Sequence, residues 1–184
     1  MTFKSSSIST HSPISMRSLF VAASLACSLS MVACGPKAAT VDKVAAAASA
    51  ADAEAFMAKV AKEPGVKVLP SGLAYKVLSS GPETGAHPGP RDEVKVDYVG
   101  SLPSGQVFDS SVERGAPAVM GLDGLVPAWQ EALPLMRPGD EWIIYAPPKL
   151  GYGEQGAGGV IPPNSALVFK IKLIGVLSAG GAKA

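Results

Sequence analysis

The chain has 184 residues, which is enough for one ordinary domain with short flanking segments. Hydrophobic residues make up 47% of it and charged residues 17%, a balance typical of a folded protein that excludes a disordered acidic or basic chain. Sixteen Lys and Arg residues face fifteen Asp and Glu residues without clustering, so a surface that binds nucleic acid is not expected.

The positions of the cysteines and histidines exclude several kinds of site. Cys27 and Cys34 both precede residue 35, so the rest of the chain has no thiol for a disulfide, a zinc cluster or a nucleophile. His11 lies in the N-terminal segment and His87 in a loop rich in Gly and Pro, and a single histidine makes a poor transition-metal site. We therefore expect neither a metal nor a cofactor.

An apolar run of 15 residues, 19–33, follows Arg17 near the N-terminus. A membrane-spanning helix needs about 20 such residues, whereas a run of this length is typical of a signal peptide. We predict a signal peptide over residues 1–34, with Met16 as an alternative start codon to Met1.

The run ends in Met31-Val32-Ala33-Cys34-Gly35, which resembles the processing site of bacterial lipoproteins. This resemblance implies that the Cys34 sulfur carries a lipid after cleavage. Gly35 and Pro36 lack the aspartate associated with retention in the inner membrane of some bacteria. The implied location is therefore the outer membrane, with the protein facing the periplasm. A soluble secreted protein whose cysteines are removed with the leader is the alternative.

Residues 35–64 are rich in alanine. Alanine has the highest helix propensity, and Pro64-Gly65 supplies a stop signal, so a helix is predicted within residues 41–63. Because its apolar stripe is loose and consists mostly of alanine, we interpret the segment as a solvated tether or short helix.

Several later segments alternate apolar and polar residues with a period of two, the pattern of half-buried antiparallel strands. Pro103-Ser104-Gly105 supplies a hairpin turn between two of them. The strands are predicted at residues 73–78, 94–102, 106–109, 141–146 and 169–173.

One short helix is predicted in this part of the chain. Pro127 suits a first helical position, residues 128–133 follow, and Pro134 limits the extent. The pattern predicts an α+β fold in which a curved antiparallel sheet is wrapped around this helix.

Six short motifs occur in order between residues 94 and 175. They are Val-Asp-Tyr-Val-Gly (96–100), Gly-Gln-Val-Phe-Asp-Ser-Ser (105–111), Leu-Val-Pro-Ala-Trp (125–129), Leu-Gly-Tyr-Gly (150–153), Ile-Pro-Pro-Asn (161–164) and Leu-Val-Phe (167–169). In this order and spacing they resemble the FKBP-type peptidyl-prolyl isomerase domain, and bacterial lipoproteins related to the macrophage infectivity potentiator group in particular. The resemblance covers residues 65–178 and leaves 179–184 as a flexible tail.

The resemblance raises a second interpretation of the Ala-rich segment. Relatives of the macrophage infectivity potentiator type carry long N-terminal helices that pair two subunits. The segment here is much shorter, so a tether is favoured over a dimer arm.

The implied chemistry is rotation about Xaa-Pro peptide bonds in exported proteins, which would assist folding in the periplasm. Such rotation is opposed by a barrier of about 18–20 kcal/mol and needs no nucleophile. An apolar cavity favours the twisted amide, which carries less charge on oxygen than the planar one, and such differential binding accelerates the reaction. The site is therefore expected to be an aromatic bowl with hydrogen-bond donors at its rim.

The resemblance assigns roles to individual residues. Trp129 forms the floor under the proline ring, while the Tyr152 hydroxyl and the Val126 backbone N–H donate to substrate carbonyl groups. Asp109 orients polar groups at the rim, with Arg114 as its ion partner. The other residues of the site are Tyr98, Phe108, Leu125, Met120, Ile161 and Phe169.

Two positions depart from better-known family members, because Ala118 and Met120 stand where aromatic residues are frequent. These changes are expected to alter the preference for the residue before proline or weaken binding of tacrolimus- or rapamycin-like macrolides, the inhibitors that the resemblance implies. The competing interpretations are a catalytically weak FKBP-fold module that binds peptides on the membrane and a purely structural outer-membrane lipoprotein.

Overall fold

The computed structural model describes residues 38–177. The predicted signal peptide, Cys34 and the tail 179–184 lie outside the described residues. Within the described part, two α-helices and seven strands follow one another along the chain. They are α1 (Ala38–Val60), β1 (Val66–Val68), β2 (Ala74–Ser79), β3 (Glu93–Ser101), β4 (Val107–Ser110), β5 (Ala118–Gly121), α2 (Pro127–Ala132), β6 (Glu141–Ala146) and β7 (Leu167–Leu177).

The seven strands form one antiparallel sheet in the order β1-β2-β6-β7-β3-β4, with β5 pairing with β3 as well. The long strands β3 and β7 pair over their whole length, from Glu93 opposite Leu177 to Ser101 opposite Val168. They form the centre of the sheet. On the other side of β3, its first half pairs with β5 and its last residues pair with β4.

One face of the sheet packs around α2, so the predicted fold class is confirmed. Pro127 occupies the first turn of this helix, and Ala128, Trp129 and Ala132 are buried against the sheet. The helix gives way to a 3₁₀ turn at Leu133–Leu135, the position at which Pro134 was expected to limit it. Its partners in the core include the fully buried side chains of Leu122, Leu133, Met136, Ile144, Leu167, Ile171 and Leu173.

Two short strands, β1 and β5, were not predicted, whereas β4, which also has four residues, was located by the hairpin turn before it. Val66–Val68 and Ala118–Gly121 have three and four residues, too few for an alternating pattern to be read from sequence. Both are stabilised by pairing with a longer neighbour. In contrast, β6 has the predicted bounds, and β7 extends beyond its predicted range at both ends.

The C-terminal half of α1 packs against the sheet on the face opposite α2. Val60 is 1% exposed and packs with Ala74 and Tyr145, and the ring of Phe56 lies 6.1 Å from that of Tyr145 at 59°. The expectation of a solvated tether is therefore wrong for the last two turns, where large apolar residues cover the sheet.

No helix among residues 38–177, α1 included, is long and apolar enough to cross a membrane.

Candidate active site

A cavity of about 240 Å³ lies where α2 meets the sheet. Its walls come from β3, β4, β5, β7, the start of α2 and the loop after β6. The residues that line it are Tyr98, Phe108, Asp109, Met120, Gly124, Leu125, Val126, Trp129, Tyr152 and Phe169. The structure thus brings together all the predicted site residues except Arg114 and Ile161.

Aromatic rings form the inner part of the cavity. Trp129 is 3% exposed, and its ring meets those of Tyr98 and Phe169 edge to face, at centroid distances of 5.1 and 5.4 Å. Phe108 packs on Phe169 in the same manner, at 5.8 Å and 89°. Such edge-to-face contacts are favourable because the positive edge of one ring meets the negative face of the next. The rings therefore hold one another in place around an apolar floor.

The indole nitrogen of Trp129 is buried and has no hydrogen-bond partner among the described residues, and the same is true of Trp142. Trp142 lies outside the cavity, stacked on Tyr75 at 4.5 Å and 9°. Both indole N–H groups are thus buried, but only Trp129 is among the residues that line the cavity.

A charged network lies at the rim. The hydroxyl of Tyr98 donates to Oδ2 of Asp109, and Nη1 of Arg114 donates to Oδ1 of the same carboxylate. Arg114 also donates from Nη2 to the Tyr98 hydroxyl at 3.0 Å, and its Cζ lies 5.5 Å from the centre of the Tyr98 ring. Arg114 therefore supports the rim from outside the cavity.

This network fixes the charge state of the rim. Burial opposes ionisation of Asp109, but the hydrogen bonds from Tyr98 and Arg114 outweigh it and hold the pKa of the carboxyl below its ordinary value. Burial, followed by the bond to Asp109, raises the pKa of the Tyr98 hydroxyl. Asp109 is therefore ionised and Tyr98 protonated from about pH 4 to about pH 10, the range between their ordinary pKa values.

Besides the Trp129 indole, two further hydrogen-bond donors at the cavity have no partner within the described residues. The backbone N–H of Val126 precedes the first turn of α2, where no helical carbonyl is available. Tyr152 is 40% exposed, and its hydroxyl forms no hydrogen bond to the described part of the chain. Both groups can bind carbonyl oxygens of a molecule in the cavity.

Ile161 occupies a different place from the one expected. It is 6% exposed within the core, and its backbone forms two hydrogen bonds with Ala157, at 2.9 and 3.0 Å. This bridge closes the loop that follows Tyr152. Ile161 therefore supports the loop instead of lining the cavity.

Sequence reasoning missed the importance of Gly100 in β3. A Cβ atom at this position would lie 2.7 Å from Cε2 of Phe108, which is too close for a real contact, and 3.2 Å from Cε1 of Phe169, which is a tight contact. Glycine within a strand often marks such a close approach, and this was the available signal. The bare backbone of Gly100 therefore leaves room for two of the cavity rings.

Gly100→Ala is expected to push the Phe108 ring into the cavity. For the Xaa-Pro rotation that the sequence resemblance implies, we predict that kcat/KM falls about tenfold, the equivalent of about 1.4 kcal/mol. The double variant Gly100→Ala/Phe108→Leu, which removes the clashing ring atoms, is expected to recover part of this loss. If the single variant retains full kcat/KM while remaining folded, the close approach has no functional role.

Groups of three or more His, Cys, Asp or Glu residues that could hold a metal ion do not occur among residues 38–177.

The part of the chain that forms the cavity is similar to known proteins. The family described as FKBP-type peptidyl-prolyl cis-trans isomerase matches residues 85–174, and the domain amino terminal to FKBP-type peptidyl-prolyl isomerase matches residues 26–77. The peptidyl-prolyl cis-trans isomerase Mip of Coxiella burnetii is 52% identical over 128 residues, which cover 70% of this chain and 55% of the relative. The outer membrane protein MIP of Legionella longbeachae is 46% identical over 129 residues, 70% of this chain and 54% of the relative. The aligned part thus spans little more than half the length of these curated relatives.

Two solved structures share the fold. FkpA from Escherichia coli superposes with a TM-score of 0.73 at 39% identity, covering 77% of this chain and 65% of the other. A peptidyl-prolyl cis-trans isomerase from Pseudomonas syringae superposes with a TM-score of 0.67 at 38% identity, covering 72% of this chain and 96% of the other.

Proposed function

Because the chain belongs to the FKBP-type peptidyl-prolyl cis-trans isomerase family, we propose that it catalyses rotation about Xaa-Pro peptide bonds in polypeptides of the bacterial cell envelope. The observation that carries this proposal is the largely apolar cavity of about 240 Å³ floored by Trp129, with the donors of Val126 and Tyr152 beside it. The proline ring would rest on Trp129, and the Val126 N–H and Tyr152 hydroxyl would bind flanking carbonyl groups.

Catalysis in this site would come from differential binding. In the planar amide, resonance places charge on the carbonyl oxygen, which an apolar cavity solvates poorly. As the C–N bond rotates, resonance and this charge decrease, so the cavity binds the twisted amide better than the planar one. About 4 kcal/mol of such preference would accelerate rotation about a thousandfold. Asp109 acts electrostatically, by holding Tyr98 and Arg114 in place at the rim.

The test of this proposal compares cis/trans exchange in a Leu-Pro peptide, followed by NMR, with the full chain and two rim variants. Tyr152→Phe removes one donor and Asp109→Leu removes the carboxylate that orders the rim. Each is expected to lower kcat/KM about tenfold or more, because one hydrogen bond of about 1.4 kcal/mol corresponds to a factor of ten. Tyr152→Phe should change the free energy of unfolding by less than about 0.5 kcal/mol, because the hydroxyl that it removes lies at a partly exposed position. Asp109→Leu should cost about 1–3 kcal/mol, because Tyr98 and Arg114 lose their acceptor, so its kcat/KM is measured on the folded protein.

Tyr75→Phe is the matched control for Tyr152→Phe, since Tyr75 stacks on Trp142 away from the cavity. It should leave kcat/KM unchanged. Tacrolimus should block the wild-type reaction if the macrolide binds the same cavity. A folded wild-type chain that accelerates no exchange would instead support a module that binds peptides without isomerising them.

We further propose that residues 1–34 are a signal peptide and that a lipid on Cys34 anchors the protein to the outer membrane, facing the periplasm. The relative from Legionella longbeachae is named an outer membrane protein, which supports an envelope location. Residues 35–64 would then connect the anchor to the catalytic domain 65–178, with 179–184 as a tail. Because α1 packs on the sheet from Ala53 onward, its C-terminal half belongs physically to that domain.

Cys34→Ala is expected to release the whole population from the outer-membrane fraction, because it removes the only predicted lipid attachment site. Cys27→Ala is the matched control and should remain in that fraction. Fractionation of cells that produce the full-length chain measures both. Retention of Cys34→Ala in the outer membrane would refute the anchor.

A further inference from the structure

The segment that leads into α2 forms one wall of the cavity, yet few main-chain hydrogen bonds hold it. Gly124, Leu125 and Val126 line the cavity. The Leu122 N–H, just before this segment, donates to Asp92 O at 3.0 Å, and within the segment the Leu125 N–H donates to Leu122 O at 3.3 Å. The direction of the Val126 N–H therefore depends on further contacts.

The side chain of Gln130 supplies such contacts. Its Nε2 donates to Leu125 O at 2.8 Å and to Asp123 O at 3.1 Å. A primary amide has two N–H bonds, so both are used on the two carbonyl groups that flank Gly124. The Gln130 main-chain N–H also donates to Val126 O at 3.2 Å. Gln130 thus donates hydrogen bonds to three carbonyl groups of the segment, those of Asp123, Leu125 and Val126.

Gln130 also adjoins the cavity floor in sequence, because it follows Trp129 in α2. Trp129 is buried, whereas Gln130 is exposed and its side chain reaches back over the segment 123–125. The hydrogen bonds therefore connect the helix that carries the floor to the wall that carries the donor.

We propose that Gln130 is a positioning residue of the isomerase site: its side-chain amide orders the segment 123–126, so that the Val126 N–H is held in the direction in which it binds a substrate carbonyl. This inference rests on the proposed function. Gln130 itself need not touch the substrate.

Gln130→Glu tests the proposal with an almost isosteric change. The carboxylate has no N–H and places a negative charge against the two carbonyl oxygens of Leu125 and Asp123. We expect kcat/KM for a Leu-Pro peptide to fall five- to tenfold at pH 7 in the full chain, with the melting temperature within about 2 °C of the wild type. Glu131→Gln is the matched control, because the Glu131 carboxylate accepts a hydrogen bond from the Ser71 hydroxyl at 2.8 Å, away from the cavity. It should have wild-type kcat/KM.

The pH dependence separates positioning from a merely structural role. Below the ordinary glutamic acid pKa of about 4.3, the introduced carboxyl is protonated and can again donate one hydrogen bond. The ratio of variant to wild-type kcat/KM should therefore rise at least twofold between pH 7 and pH 4. Both proteins contain Asp109 and Asp123, so any effect of pH through these two residues cancels in the ratio of variant to wild-type kcat/KM. Gln130→Met, which has similar length and no donor, should show the loss at both pH values without recovery.

The mobility of the Val126 amide gives a readout independent of catalysis. In the wild type and in Glu131→Gln its NMR order parameter should be near 0.85, the value of rigid backbone, and it should fall below about 0.6 in Gln130→Met. If the wild type shows no isomerase activity, the proposed function fails. The Val126 order parameter still tests whether the hydrogen bonds of Gln130 order the segment 123–126. Unchanged kcat/KM together with an unchanged Val126 order parameter would overturn the inference. A loss of kcat/KM that only follows a lowered melting temperature would also overturn it.

Discussion

Trp129→Ala is expected to abolish most of the isomerase activity and to lower stability by about 3–5 kcal/mol, the usual cost of removing a buried tryptophan side chain. The indole forms the cavity floor and makes edge-to-face contacts with both Tyr98 and Phe169. Without it, the proline ring has no surface to rest on and the two partner rings lose a neighbour. We predict a decrease in kcat/KM of at least a hundredfold in the protein that remains folded, about 2.7 kcal/mol of transition-state binding.

Trp142→Ala is the matched control because this indole is also buried but lies outside the cavity. It should lower stability by a similar amount, while the folded fraction retains wild-type kcat/KM. Urea unfolding can be followed in each variant through the fluorescence of the remaining tryptophan. If Trp129→Ala keeps wild-type kcat/KM, the cavity is not the active site.

Removal of residues 1–64 is expected to lower the free energy of unfolding by about 3–5 kcal/mol. The loss would arise because Ala74 and Tyr145, which α1 covers, become exposed. Burial of a side chain such as Val60 contributes about 1.5–3 kcal/mol, and Phe56 and Met57 add to it. Urea unfolding of the full chain and of residues 65–184 measures the difference.

A pair of point variants separates packing from helix propensity. Val60→Asn places an amide against the apolar face of the sheet with little change in helix propensity, whereas Ala58→Asn lowers the propensity at an exposed position of α1. The first should cost at least about 2 kcal/mol and the second less than about 1 kcal/mol. Equal stability of the full chain and of residues 65–184 would restore the interpretation of α1 as a tether.

Most of the cavity could be predicted from the sequence because its members occur in ordered motifs. Tyr98, Phe108, Trp129 and Phe169 belong to four different motifs, and the structure places all four around one cavity. Alternating patterns also located the longer strands, since their side chains have one face in the core. These features are local in sequence, which is why sequence alone reveals them.

Other features depend on contacts between distant segments and have no local signal. The docking of α1 rests on Phe56 and Val60 at its end, whereas the rest of the helix is mostly alanine and gives no clear apolar face. The role of Gly100 follows from rings on β4 and β7, and that of Gln130 from carbonyl groups whose direction only the folded loop defines. Ile161 belonged to a predicted motif, but the bridge to Ala157 draws it into the core.

The most direct test of the central claim uses the two indole N–H groups as reporters in one NMR sample. A Leu-Pro peptide is added to the full chain labelled with ¹⁵N, and exchange between the cis and trans peptide signals is recorded together with the indole signals. We predict catalysed exchange accompanied by a shift of the Trp129 Nε1–H signal, while that of Trp142, which lies outside the cavity, does not move. Catalysed exchange without a change at Trp129, or no exchange from a folded chain, would contradict the assignment of this cavity as the isomerase site.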